Sequence, residues 1–240
     1  MTLRVNINYR ANIEELLSRY KCLKFLKSSH ISKEDKNKWY VTCSEWNLDN
    51  DPIYELQVMF IGKTGYGKST TLNKIVGRKV FESDDVQVCT KDLYSATYRI
   101  DEENFLSLSD LPGIGESNYA DNQYYEWYRD MLKKSHCVVY LLRADQRDFA
   151  VDEILFKSMF TSYEDRKKVI FALNFAEKIE PISRENQLSN QQILNLNKKV
   201  KEIAQIFNVS KEDILYYSAS DNINLDVLMK KVSDKLKLFV

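Results

Sequence analysis

Eight consecutive residues, Gly62-Lys63-Thr64-Gly65-Tyr66-Gly67-Lys68-Ser69, carry the spacing G-x-x-x-x-G-K-S. That pattern makes a phosphate cradle. Its glycines let backbone amides approach phosphate oxygens without a Cβ in the way. Lys68 reaches the β- and γ-phosphates, and Ser69 offers its hydroxyl to Mg²⁺. Thr70 follows at the start of a helix-forming stretch, whose first amides and dipole favour an anion.

Three more groups of residues have the chemistry to complete such a site. Asp110-Leu111-Pro112-Gly113 is a D-x-x-G sequence: the carboxylate supports Mg²⁺ and its waters, and the Gly113 amide can face a γ-phosphate. Thr90 lies between the first helix of the cradle and the following strand, where its hydroxyl can coordinate Mg²⁺ and its amide can sense the γ-phosphate. Asn174 and Glu177, in the segment ALNFAEKIEP, have the spacing to read a purine. A carboxylate at Glu177 accepts from the ring N–H and exocyclic amine of guanine, a donor pair that adenine lacks. Ser218-Ala219 can present a backbone amide to the guanine oxygen. Lys68, Thr90 and Gly113 are the expected catalytic groups, and Ser69, Thr90 and Asp110 the expected metal ligands. Arg143, Asp145 and Arg147 follow a strand at the same end, as a contact across the nucleotide or as a solvated charged loop. His136, just before that strand, reads as structural or exposed.

These residues need strands that end beside one another. Residues 54–62 (YELQVMFIG) have the length and the apolar, β-branched and aromatic content of a buried strand. Residues 93–100 and 104–113 read as an antiparallel hairpin across the turn DEEN. CVVYLLRA, KVIFALN and DILYYSAS read as further buried strands. Helical patterns fill residues 119–134, 151–160, 189–207 and 225–238. Apolar strands alternating with helices imply an α/β, mostly parallel sheet covered on both faces, with ligands at the carboxyl ends of the strands. Before this unit, residues 13–27 show apolar positions at helical spacing, residues 39–43 suggest a short strand, and NLDNDP reads as a linker. The expected division is therefore residues 1–51 as an N-terminal helical extension and 52–240 as the nucleotide domain.

The order GKTGYGKS, Thr90, DLPG, NFAE, SAS resembles the motif series of translation-factor-type GTPases, in particular the Era-like branch. DLPGIGES and LLRADQRDFAVDE look most like the small bacterial GTPases of the YfjP/YeeP type, and DLPGIG also resembles the immunity-related GTPases. The resemblance implies a Ras-like P-loop fold, with a six-stranded sheet that has one antiparallel edge strand, and the binding of GTP or GDP with Mg²⁺. It implies a nucleotide-dependent switch whose partner is a protein, the ribosome or a second copy of the chain. By the same likeness Gly62 to Thr70 hold phosphates, and Asn174 and Glu177 read the base. Phe175 and Glu177 depart from the family's N-K-x-D, which weakens guanine preference, and leaves an ATPase with relaxed base specificity as an alternative. Ile114 stands where Ras-like proteins keep a water-orienting glutamine, so hydrolysis is expected to be slow without a group from elsewhere. A non-catalytic nucleotide-gated interaction module is the other alternative. Gly65 occupies the place of the asparagine that holds potassium in some relatives, so potassium activation is not expected.

The bulk composition sharpens this reading. Lys+Arg and Asp+Glu both number 35 in 240 residues, so no global field draws the chain to nucleic acid or an anionic membrane. The four cysteines form no C-x-x-C pair, the N-terminus has no apolar signal core, and no run is long enough to span a bilayer. These features read as a cytoplasmic protein with reduced thiols. Tyr119, Tyr124, Tyr125, Trp127 and Tyr128 crowd the helix after D-x-x-G, as packing or as a switch-dependent contact surface.

Overall fold

The computed structural model describes residues 5–34, 37–82, 93–113, 128–182 and 187–240. Its frame is one eight-stranded sheet. The strands are β1 (Val5–Asn12), β2 (Lys38–Cys43), β3 (Leu48–Ile61), β4 (Leu93–Arg99), β5 (Asn104–Asp110), β6 (Cys137–Arg143), β7 (Val169–Asn174) and β8 (Ile214–Tyr216). Their order is β1-β4-β5-β3-β6-β7-β8, with β2 paired to β3. The longer helices are α1 (Ile13–Arg19), α2 (Lys68–Val76), α3 (Ala150–Met159), α4 (Asn190–Phe207) and α5 (Leu225–Leu236); residues 128–134 are also helical, and Tyr163–Arg166 forms a single turn.

β6, β7 and the second half of β3, from Leu56 to Ile61, are almost wholly buried, as expected of parallel strands covered on two faces. The register brings their carboxyl ends level. Phe60 pairs with both Asp110 and Val139, Ile61 with Tyr140, and Arg143 with Asn174. α4 begins at a capping box, in which Ser189 and Gln192 satisfy each other's backbone amides.

The sheet departs from the sequence expectation in two ways. It has eight strands rather than six, and antiparallel pairing occurs at two places, β4 with β5 and β2 with β3, rather than at one edge strand. β4 does run antiparallel to β5, but β1 pairs in parallel with its other side. The sequence of β1, VNINYRAN, hides this because asparagine is depleted in strands. The pairing with β4 supplies what its composition does not.

The segment before residue 52 also differs from a helical extension. The stretch expected as one helix from 13 to 27 breaks at Tyr20 (φ −123°, ψ 82°), then continues as a 3₁₀ turn over Lys21–Lys27. Ile13, Leu16, Leu17, Leu23, Leu26 and Ile31 lie in the same apolar core as the central strands. The Ser233 hydroxyl of α5 donates to the Cys22 carbonyl at 2.8 Å. The boundary expected between 51 and 52 falls inside β3. NLDNDP looks like a linker because of its turn formers, but Asn47 and Asn50 take left-handed φ values of 55° and 57° to shape the β2–β3 hairpin. Pro52 pairs with Tyr40 within that hairpin.

His136 is buried and structural. Its Nδ1 accepts the Gln57 amide at 3.0 Å, which leaves Nε2 to donate to Asn37 Oδ1 at 2.7 Å. Cys22, Cys43 and Cys137 are free thiols. Among the described residues no helix is long and apolar enough to cross a membrane, and no group of three or more His, Cys, Asp and Glu has metal-holding geometry.

Candidate nucleotide site

The loop between β3 and α2 stands where the strands end. Gly62 and Gly67 have φ of 145° and 84°, a region that L side chains rarely adopt. A Cβ at Gly67 would also lie 2.3 Å from Asn174 Nδ2, so the loop passes directly against the residue expected to read the base. The crest is a turn in which the Tyr66 amide bonds the Lys63 carbonyl at 3.2 Å. The Lys68 ammonium folds over this crest, donating to the carbonyls of Gly62 (3.1 Å) and Lys63 (3.2 Å). Thr71 begins to close α2 by donating its hydroxyl to the Gly67 carbonyl at 2.7 Å, and Tyr217 beside β8 meets the same hydroxyl at 2.8 Å.

Ser69 and Asp110 converge. The Ser69 hydroxyl donates to Asp110 Oδ2 at 2.5 Å, while Asp110 Oδ1 is buried without a hydrogen-bond partner. Burial pushes the Asp110 carboxyl up to about 6, against the pull of the Lys68 charge and the Ser69 hydroxyl. A serine hydroxyl beside a carboxylate with an unused oxygen is the donor set of a hard cation with several of its own waters, and these two residues fit Mg²⁺. Gly113 packs on the loop so closely that a Cβ would stand 2.1 Å from Thr64 Oγ1. Thr90 and Ile114 lie outside the described residues, as do Tyr119, Tyr124, Tyr125 and Trp127. The fifth of those aromatics, Tyr128, is buried and donates its hydroxyl to the Pro112 carbonyl, which ties it to the D-x-x-G turn.

At the other end of the loop, Asn174 joins three segments. Its Nδ2 donates to the Tyr66 carbonyl at 3.1 Å and its Oδ1 accepts the Ala219 amide at 3.1 Å. Ser218 is held by a backbone pair with Ile223. Glu177 accepts from the Ser220 hydroxyl through Oε1 at 3.3 Å, and its Oε2 is buried without a partner. Phe175 adopts a left-handed φ of 63°, with the Arg143 guanidinium 4.2 Å and the Lys178 ammonium 4.5 Å from its ring centre. Arg143 is fixed by a two-toothed contact with Asp145, at 3.0 and 2.8 Å, while Arg147 is exposed. Two cations thus face the Phe175 ring, one of them paired with a carboxylate.

One residue of the site escaped the sequence reading. Asp152 on α3 is fully buried and bonds the side chains of Lys63 and Tyr66. Its signal was a carboxylate in register with Leu155, Phe156 and Met159 on the buried face of a helix.

Residues 57–175 match the profile described as the 50S ribosome-binding GTPase family. The protein YfjP of Escherichia coli (strain K12) is 34% identical over 154 residues, covering 64% of this chain and 53% of YfjP. YkfA of the same organism is 31% identical over 182 residues, covering 76% of this chain and 63% of YkfA. The chain therefore spans less than two thirds of either relative. The crystal structure of Era from Aquifex aeolicus bound to GDP and aluminium fluoride matches with a TM-score of 0.59 at 23% identity, covering 75% of this chain and 56% of that one. At that identity it is the fold that is shared. Motif order, family profile and fold agree: over residues 57–175 the chain is similar to the GTPases of that profile, and it shares the P-loop fold of Era.

Proposed function

We propose that this chain binds GTP with Mg²⁺, hydrolyses it slowly, and works as a nucleotide-dependent switch. The observation that carries the reading is the meeting of Ser69 with Asp110, whose second carboxylate oxygen is buried and unused at the mouth of a phosphate loop. Lys68, oriented by its two carbonyl partners, would reach the β- and γ-phosphates, and the loop amides would take the remaining oxygens. Bound Mg²⁺ would neutralise charge on the phosphates, with Ser69, Asp110 and Thr90 as its protein-side groups. Asn174 would hold the base edge and the loop together, while the free Glu177 oxygen would accept from guanine.

Catalysis of this kind is positioning and charge stabilisation. With Ile114 unable to hydrogen-bond water, turnover would rise when a protein partner or a second copy adds a polar group. The test is a titration of the full chain with a fluorescent GTP analogue, with competition by GTP and ATP, followed by single-turnover hydrolysis at low and high protein concentration. Tight Mg²⁺-dependent binding, stronger competition by GTP, and slow phosphate release that accelerates at high concentration or with a partner are expected. Equal competition by ATP would remove the guanine assignment, and no phosphate release under any condition would leave a binding module.

A further inference from the structure

We propose that Asp152 is a positioning residue of the nucleotide site, holding the crest of the phosphate loop in its anion-receiving shape from behind. This rests on the GTP-binding reading above. The crest is the turn from Lys63 to Tyr66, and both of its end side chains reach the same carboxylate oxygen. Lys63 Nζ lies 2.9 Å and Tyr66 Oη 3.2 Å from Asp152 Oδ2. Gln146 completes the knot, with Nε2 at 3.0 Å from that oxygen and Oε1 accepting from Tyr66 at 2.5 Å. Asp152 is 0% exposed and Tyr66 only 6%.

The chemistry of the knot decides what it does. Lys63 lies within the loop that would receive phosphate, yet its ammonium turns away from the crest to Asp152. Its charge is spent on the protein, and its carbonyl is left to orient the Lys68 ammonium at 3.2 Å. The Tyr66 phenol is pushed upward by burial first and by the Asp152 charge second, so it remains a donor at any working pH. The Tyr66 carbonyl, on the other side of the same residue, accepts from Asn174. The turn is therefore held by α3 through its side chains and by the β7 end through its backbone. A loop fixed before the ligand arrives does not lose conformational freedom on binding, which is the physical content of preorganisation. Breaking the knot should cost phosphate affinity while leaving base selection alone.

The experiment is a double-mutant cycle on the full chain with Tyr66→Phe and Asp152→Asn, both close in shape to the original residues. It reads affinity for a fluorescent GDP and a non-hydrolysable GTP analogue, the ratio of guanine to adenine nucleotide affinity, and the melting temperature without nucleotide. Each single change is expected to weaken both guanine nucleotides roughly five- to tenfold, the size of one hydrogen bond's net contribution. The double variant should lose little more than either single variant, because both cut the same tether, and the base ratio should not change. If Asp152→Asn does not fold, Lys63→Met takes its place in the cycle with the same expectation. Unchanged affinity in Tyr66→Phe and Lys63→Met, strictly additive losses, or a lowered melting temperature with unaltered affinity would each overturn the assignment. A wild-type chain that binds no guanine nucleotide would instead bring down the underlying reading, and the proposal with it.

Discussion

The Ser69 hydroxyl and the Asp110 carboxylate, 41 positions apart in the chain, stand 2.5 Å from each other. One is set by the first turn of α2 and the other by the last residue of β5. If this pair is the protein's share of a Mg²⁺ site, Ser69→Ala removes a ligand without opening a cavity. Nucleotide affinity measured with and without Mg²⁺ should then show the metal's enhancement reduced about ten- to a hundredfold. An undiminished enhancement would dissociate the pair from the metal.

The raised Asp110 carboxyl makes two opposite pH dependences. Its ordinary value is 3.8 and burial takes it to about 6 in the folded chain. The folded state therefore holds the proton more tightly than the unfolded one. Its contribution to stability is complete below pH 3.8 and is lost as pH rises through about 6. The gap of about two units corresponds to roughly 3 kcal/mol at most. Nucleotide-free Asp110→Asn should melt above the wild type at pH 7.5, with the difference closing toward pH 4. Mg²⁺-nucleotide binding needs the carboxylate and should weaken below about pH 6 in the wild type. A melting difference independent of pH would contradict the assignment.

Gly67→Ala should be severe. The added Cβ meets a φ of 84° and an Asn174 amide 2.3 Å away. Left-handed strain alone costs about 1 kcal/mol, and moving Asn174 disturbs its bonds to Tyr66 and Ala219. Guanine-nucleotide affinity is expected to fall more than tenfold; near-wild-type binding would show that the loop and Asn174 do not act together.

Base choice should depend on Glu177. Its unpartnered Oε2 is the acceptor available for a guanine N–H pair. Glu177→Ala should bring GTP and ATP competition to within a few-fold of each other, mainly by weakening GTP. Retention of the wild-type ratio would shift attention to the Arg143–Phe175–Lys178 stack.

The N-terminal segment is expected to be inseparable from the fold. Leu16 is 1% exposed within the common core. Leu16→Ala should cost about 2–5 kcal/mol, read as a single cooperative transition at lower temperature or denaturant. A second transition, with the main one unmoved, would instead make residues before β3 an independent unit.

The contrast between these regions explains what was legible in the sequence. The loop, D-x-x-G and the Asn174 segment were visible because each is a contiguous pattern whose backbone geometry restricts residue type, and the apolar runs of β3, β6 and β7 placed them at strand ends. β1 was hidden because its partner, β4, lies more than 80 positions away and pairing overrides a poor strand composition. The linker expected at NLDNDP was a hairpin turn, since asparagine serves both. The helical pattern around Asp152 can mark a buried carboxylate but not its partner, because the contact with Lys63 spans 89 positions.

The position of β1 has a consequence for assembly. A sheet margin with free amides and carbonyls is a template for an incoming extended peptide. Beside the hairpin of β4 and β5 that berth is already taken by the chain's own first strand, so among the described strands a partner that docks by adding a strand must lie along the outer side of β1, of β2 or of β8. β8 offers three residues, from Ile214 to Tyr216, and β2 six, from Lys38 to Cys43, which leaves the eight-residue β1 as the longest quay.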